Sequence, residues 1–112
     1  MEIKTKLIPI DFLPFIPHGY GNGYIGLPNT HPWYEKDYND IDVNIHGGLT
    51  FSEPADKLDW KEIKPKHKGG WVVGFDCMHY GDTPLSCPKE YVQNETKSLI
   101  KQLNRYTPST TL

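Results

Sequence analysis

The stretch Trp71-Val72-Val73-Gly74-Phe75-Asp76-Cys77-Met78-His79-Tyr80-Gly81-Asp82 decides how the chain is read. Its first five residues are apolar throughout, which predicts a strand buried on both faces. Asp76 ends the apolar run, and Gly81-Asp82-Thr83-Pro84 is turn chemistry. A buried strand therefore delivers Asp76, Cys77, His79 and Asp82 to one end of a sheet. Groups placed there are held rigidly by the scaffold, which suits a functional site.

Towards the C-terminus, Pro88 suits a first helical position. Tyr91, Val92, Leu99, Ile100 and Leu103 then form one apolar stripe, which predicts a helix from Pro88 to Arg105 lying on the sheet. The tail from Tyr106 to Leu112 is expected to fray.

Towards the N-terminus, Glu53 to Gly70 reads as a solvated hairpin or insertion loop anchored by Trp60 and Ile63. Ile41-Asp42-Val43-Asn44-Ile45 alternates with period two, which predicts a half-buried strand. His46-Gly47-Gly48 turns, and a further strand is expected over Leu49-Thr50-Phe51-Ser52. Asn29 to Tyr34 reads as a loop opening a helical turn at Pro32. Asn22-Gly23 is a hairpin-type signal, followed by a short strand over Tyr24 to Leu27. Pro9, Pro14 and Pro17 make Asp11 to Pro17 an extended segment, and Ile3 to Ile8 reads as an edge strand.

The pattern predicts an α+β fold in one domain over residues 1–112. Its sheet is small, twisted and mainly antiparallel, with one C-terminal helix packed across it. The 112 residues include three Trp, seven Tyr and four Phe, enough large rings for a compact core. Ten Gly and ten Pro argue against a helical bundle. A formal net charge of −2 lacks the basic footprint of general nucleic-acid binding. No apolar run approaches the length of a bilayer span. Met1 to Lys6 lacks the apolar core of a secretory signal, so a cytoplasmic location is expected, with Cys77 and Cys87 as reduced thiols.

The candidate site has three readings. In the first it is a binding pocket: Tyr24, Trp33 and Tyr34 supply stacking surfaces, and His46, Thr50, Asp76 and His79 supply polar contacts. Gly47 and Gly48 supply backbone donors, and His31 and Asp82 complete the set. Aromatic walls with a few convergent polar groups are the usual make-up of a small-molecule site, and this set suits a nucleotide-like ligand. The second reading is a hydrolase using His46, Asp76, His79 and Asp82, with or without a metal. The spacing matches no established metal signature, so no metal or cofactor is assigned. The third reading is attachment to a partner protein. Cys77 could serve as a nucleophile with His79 two residues on, although a small buried hydrophobe is the commoner role for such a cysteine. So many aromatic residues also leave room for a homodimer.

Gly23-Tyr24-Ile25-Gly26-Leu27-Pro28, His31-Pro32-Trp33-Tyr34, the Val43 to Phe51 stretch, the Trp71 to Asp82 stretch and Glu90-Tyr91-Val92 follow one another in order. Together they resemble a group of small uncharacterised phage and prophage proteins, over about residues 20–104. The resemblance implies a phage source and action in a bacterial cytoplasm. By analogy with other small phage accessory proteins, it also implies capture of a nucleotide immune signal as a counter-defence.

Overall fold

The computed structural model describes residues 4–9, 19–58, 69–79 and 81–105. Among these residues are strands β1 (Lys4–Pro9), β2 (Gly21–Leu27), β3 (Phe51–Pro54) and β4 (Trp71–Phe75), one α-helix, α1 (Lys89–Asn104), and two single-turn 3-10 helices, Tyr38–Asp40 and Ala55–Lys57. The strands form one sheet of order β1-β2-β4-β3. Every neighbouring pair is antiparallel, and α1 packs against β2 and β1. The α+β architecture is thus as the sequence predicts.

β4 lies between β2 and β3, and its apolar run is explained by burial on both sides. Val73 and Phe75 join Ile25 and Leu27 in one core cluster with Val92, Leu99 and Leu103 of α1. Val72 belongs to a second cluster with Tyr24 and Ala55, against which Phe51 and Leu58 pack. The helix spans one residue less at each end than the periodicity predicts. Pro88 is its N-cap and offers no side-chain cap, and Arg105 is its C-cap.

Two sequence signals resolve differently. Asn22-Gly23 is not a turn but part of β2. A Cβ on Gly23 would stand 2.4 Å from Thr96 Oγ1 and 2.7 Å from the Phe75 ring. The glycine is there because the helix and the neighbouring strand crowd this point, not to bend the chain. Ile41 to Ile45 is not a strand either, although its burial alternates: Ile41 and Ile45 are buried, Asp42 and Asn44 exposed. The Asn44 N–H donates to Gln102 Oε1 at 2.7 Å, and the Asn44 carbonyl accepts from Gln102 Nε2 at 2.9 Å. One helix side chain thus does for Asn44 what a strand partner would do. Period two reports alternating burial, which an extended segment satisfies without a ladder.

These two bonds set a modest stability term. Each net hydrogen bond contributes about 0.5–1.5 kcal/mol, less where water can replace it. Gln102→Ala is expected to cost about 1 kcal/mol, or roughly 4–8 °C of melting temperature. Gln102→Glu keeps an acceptor for the Asn44 N–H and is expected to lose about half as much. Melting of both variants at the wild-type temperature would show that the clamp contributes nothing.

The segment from Glu53 to Gly70 begins and ends as a β3–β4 hairpin, closed by Ala55 N–H to Gly70 O at 3.0 Å. Asn29 to Lys36 forms consecutive turns. The expected extended segment at Asp11 to Pro17, the loop anchors Trp60 and Ile63, and the tail from residue 106 lie outside the described residues. No helix among the described residues is long and apolar enough to cross a membrane.

Candidate metal centre

Three segments meet beyond the end of β4. The chain leaving β4 carries Cys77 and Asp82. The residue next to the Pro88 N-cap of α1 is Cys87. The turn after the 41–45 segment carries His46. One donor atom from each of His46, Cys77, Asp82 and Cys87 lies within 4.8 Å of every other. Cys77 is fully buried, Cys87 is 2% exposed and Asp82 4%, while the His46 side chain keeps 19% of its surface.

The turn at His46 depends on two glycines. Gly47 and Gly48 have φ of 69° and 77°, a left-handed region that residues with a Cβ enter at a cost. The Gly48 N–H donates to Ile45 O at 3.0 Å. α1 then fixes the histidine twice. The His46 backbone N–H donates to Glu95 Oε1 at 2.7 Å, and ring Nδ1 meets the Tyr91 hydroxyl at 2.9 Å. Residues four apart share a helix face, so Tyr91 and Glu95 act from one side. With Gln102 they form a polar stripe that grips residues 44–46, beside the apolar stripe that meets the sheet.

The other ring nitrogen, His46 Nε2, stands 2.8 and 2.9 Å from the two Asp82 oxygens. Asp82 Oδ2 also accepts the His79 N–H at 2.9 Å, and Oδ1 accepts from Cys87 Sγ at 3.6 Å. Burial acts to raise the Asp82 pKa. The His46 and His79 hydrogen bonds and the His46 charge outweigh it and hold the carboxyl below its ordinary value. Cys87 Sγ stands 3.9 Å from His46 Nε2. Burial, then the neighbouring Cys87 and Asp82, push the Cys77 thiol up to about 12. Burial also raises Cys87.

This geometry is wrong for a nucleophilic triad. A triad imidazole holds its carboxylate on one nitrogen and its nucleophile on the other. Here Asp82 and Cys87 approach the same nitrogen, and Tyr91 holds the second. Thiols pushed upward are also the opposite of activated nucleophiles. The arrangement does fit a metal. Donors about 2.0–2.3 Å from a tetrahedral centre stand about 3.3–3.8 Å apart, close to the Cys87 separations of 3.6 and 3.9 Å, whereas His46 Nε2 and Asp82, hydrogen-bonded at 2.8 Å, would have to part slightly. The Nδ1–Tyr91 contact and the His79–Asp82 bond are the outer interactions that orient metal ligands.

Of the residues singled out from sequence, the fold brings together His46, Gly47, Asp76, His79 and Asp82. The His46 and His79 rings meet edge to face at 5.5 Å. A Cβ on Gly47 would fall on His79 Nε2. That nitrogen is 3.4 Å from Asp76 Oδ1 and has no hydrogen-bond partner although it is buried. Asp76 Oδ1 accepts the Met78 N–H at 3.0 Å. Thr50 is exposed immediately before β3, its N–H bonded to Gly74 O, and Gly48 only shapes the turn.

Tyr24, His31 and Trp33 are core residues. Tyr24 packs edge to face on Phe51 at 5.2 Å. Tyr34 meets Trp71 at 6.1 Å, on another part of the molecule. His31, 3% exposed, is a structural latch: Nε2 meets Leu103 O at 2.9 Å and Nδ1 accepts the Trp33 N–H at 3.0 Å. That pair of bonds selects the neutral ring with its proton on Nε2.

Burial lowers the His31 pKa, against a smaller opposing effect of the Leu103 bond. A depressed native value means that the unfolded chain binds the proton more readily. The His31 contribution is therefore complete above the unfolded value, about 6.5. It is lost as pH falls through the lowered native value. Between pH 7 and 5 the denaturant midpoint is expected to drop, and His31→Gln should flatten that drop while lowering stability at pH 7 by about 1–3 kcal/mol. An unchanged pH slope in the variant would remove His31 as its source. The Asp82 contribution is lost at lower pH, below its ordinary value of 3.8.

Cys87, Tyr91 and Glu95 are the site residues that sequence reading did not assemble. The available signal was polar residues at helical spacing, 91, 95 and 102, beside the apolar stripe. No protein-family model, curated protein or solved structure matches the chain.

Proposed function

We propose that this is a zinc-binding protein in which Cys77, Cys87, His46 and Asp82 take one ion as a closed, structural centre. The observation that carries the reading is the convergence of these four donors from three segments, with the histidine and carboxylate already oriented by Tyr91 and His79. Two thiolates, an imidazole and a carboxylate suit zinc better than magnesium or calcium, which prefer oxygen. Four protein donors, three of them buried, would complete a tetrahedral set and leave no position for substrate water, which favours a structural over a hydrolytic role.

Loading the centre exchanges protons for the ion. Both thiols lose theirs. To serve as a ligand, His46 would present an unprotonated Nε2 and carry its ring proton on Nδ1, where the Tyr91 hydroxyl oxygen can accept it. Nucleotide capture loses support because the rings of Tyr24, His31 and Trp33 are spent on the core.

Protein purified without added metal should contain close to one zinc per chain by elemental analysis. Cobalt substitution should give tetrahedral d–d bands and thiolate-to-cobalt absorption, both absent in Cys87→Ser. Strongly substoichiometric metal together with featureless cobalt spectra would overturn the reading.

A further inference from the structure

Two of the four donors have a chemistry the other two lack. The Cys77 and Cys87 sulfurs belong to a group whose members all lie within 4.8 Å. Gly19 sets how closely their Cβ atoms approach. A Cβ built there would stand 2.4 Å from Cys87 Cβ and 2.9 Å from Cys77 Cβ. The two cysteine Cβ atoms are therefore no further apart than those two distances added. A disulfide spans about 3.5–4.5 Å between Cβ atoms, so at most a small convergence is needed. Backbone bonds hold both cysteines to the same dipeptide: Gly19 N–H to Cys77 O at 2.7 Å and Tyr20 N–H to Cys87 O at 2.8 Å.

We propose that Cys77 and Cys87 form a redox switch on the ion: a peroxide joins them as a disulfide and discharges the zinc. The inference rests on the metal reading above. Cys87 reacts first: it keeps 2% of its surface and directly follows the exposed turn residues Pro84, Leu85 and Ser86, whereas Cys77 keeps none. The Cys87 thiolate attacks one peroxide oxygen; an S–O bond forms, the O–O bond breaks, and hydroxide leaves to become water. The Cys77 thiolate then attacks the Cys87 sulfur; the S–S bond forms, the S–O bond breaks, and a second hydroxide leaves. Two thiolates, one hydrogen peroxide and two protons become one disulfide and two waters. The sulfurs lose two electrons and the peroxide gains them.

The ion is then left with two donors of four. His46 Nε2 and Asp82 satisfy each other directly, at the 2.8 Å separation they hold in this structure. The oxidised state therefore leaves neither the buried carboxylate nor the imidazole unpartnered, and release need not unfold the site.

The test uses the full, zinc-loaded chain carrying Met78→Leu, because Met78 is exposed and would gain oxygen itself. Hydrogen peroxide is titrated in while a chromogenic chelator reads free zinc and mass spectrometry reads the protein. The expected result is one zinc released per chain in step with the loss of two hydrogens. The peptide map should show a Cys77–Cys87 bond, and a thiol reductant with zinc should restore the starting state. Three results would overturn the switch: zinc release accompanied only by oxygen added to cysteine, disulfide formation with zinc retained, or neither change at an excess of peroxide. If the untreated chain holds no zinc, the metal reading fails first and the switch with it, an outcome visible before any peroxide is added.

Discussion

Removing the ion with a chelator is expected to lower the melting temperature by about 15–30 °C. A ligand present at about 1,000 times its dissociation constant stabilises the folded state by about 4 kcal/mol. Each kcal/mol moves the transition of a chain of this size by about 4–8 °C. The effect is large because the centre would join three segments at once: the exit of β4, the start of α1 and the turn at His46. Added zinc should restore the wild-type melting temperature. Cys87→Ser should melt near the chelated wild type and gain nothing from zinc. Chelated and loaded proteins melting within a few degrees of each other would sink the structural role of the metal.

The second large effect is expected at a residue that donates nothing to the ion. Gly19→Ala places a methyl 2.4 Å from Cys87 Cβ, and 2.9 Å from both Cys77 Cβ and the Cys87 carbonyl oxygen. Real Cβ atoms do not approach this closely, so backbone must move. The movement strains the bonds from Gly19 to Cys77 and from Tyr20 to Cys87. Overpacking of this kind costs about 1–3 kcal/mol. It should also spread the two sulfurs and weaken zinc binding by about 10–100-fold, the usual consequence of disturbing what orients a ligand. Competition against a chelating dye measures the affinity, and chemical denaturation of the chelated protein measures the stability separately. Wild-type zinc affinity in Gly19→Ala would show that the glycine does not set the spacing of the cysteines.

The sequence reads well where one residue type has one reason to be present. Trp71 to Phe75 is apolar because both faces of β4 are covered, and the stripe from Val92 to Leu103 is apolar because α1 lies on the sheet. It reads poorly where one pattern has two causes. Gly23 has the signature of a turn but serves close helix packing. The alternation from Ile41 to Ile45 has the signature of a strand, yet Asn44 within it is bonded to Gln102. His46 and Asp82 are legible as site residues because a turn and a strand end place polar groups together. Cys87 is not, since it joins them only by the path of the chain between β4 and α1. Tyr24, His31 and Trp33 look like pocket walls because aromatic rings serve cores and ligands equally well, and only burial distinguishes the two.

α1 starts without a side-chain cap, since Pro88 at its N-cap has no acceptor to offer. Cys87 immediately precedes it. With zinc bound, three anionic donors against one dication leave a single net negative charge beside the positive end of the helix dipole. Such a charge is favoured there by about 0.3–1 kcal/mol. A loaded centre would thus act as the helix's counter-ion. A Cys87→His exchange would keep four donors but bring the centre to neutrality, so this contribution would be lost even in a variant that still held its metal.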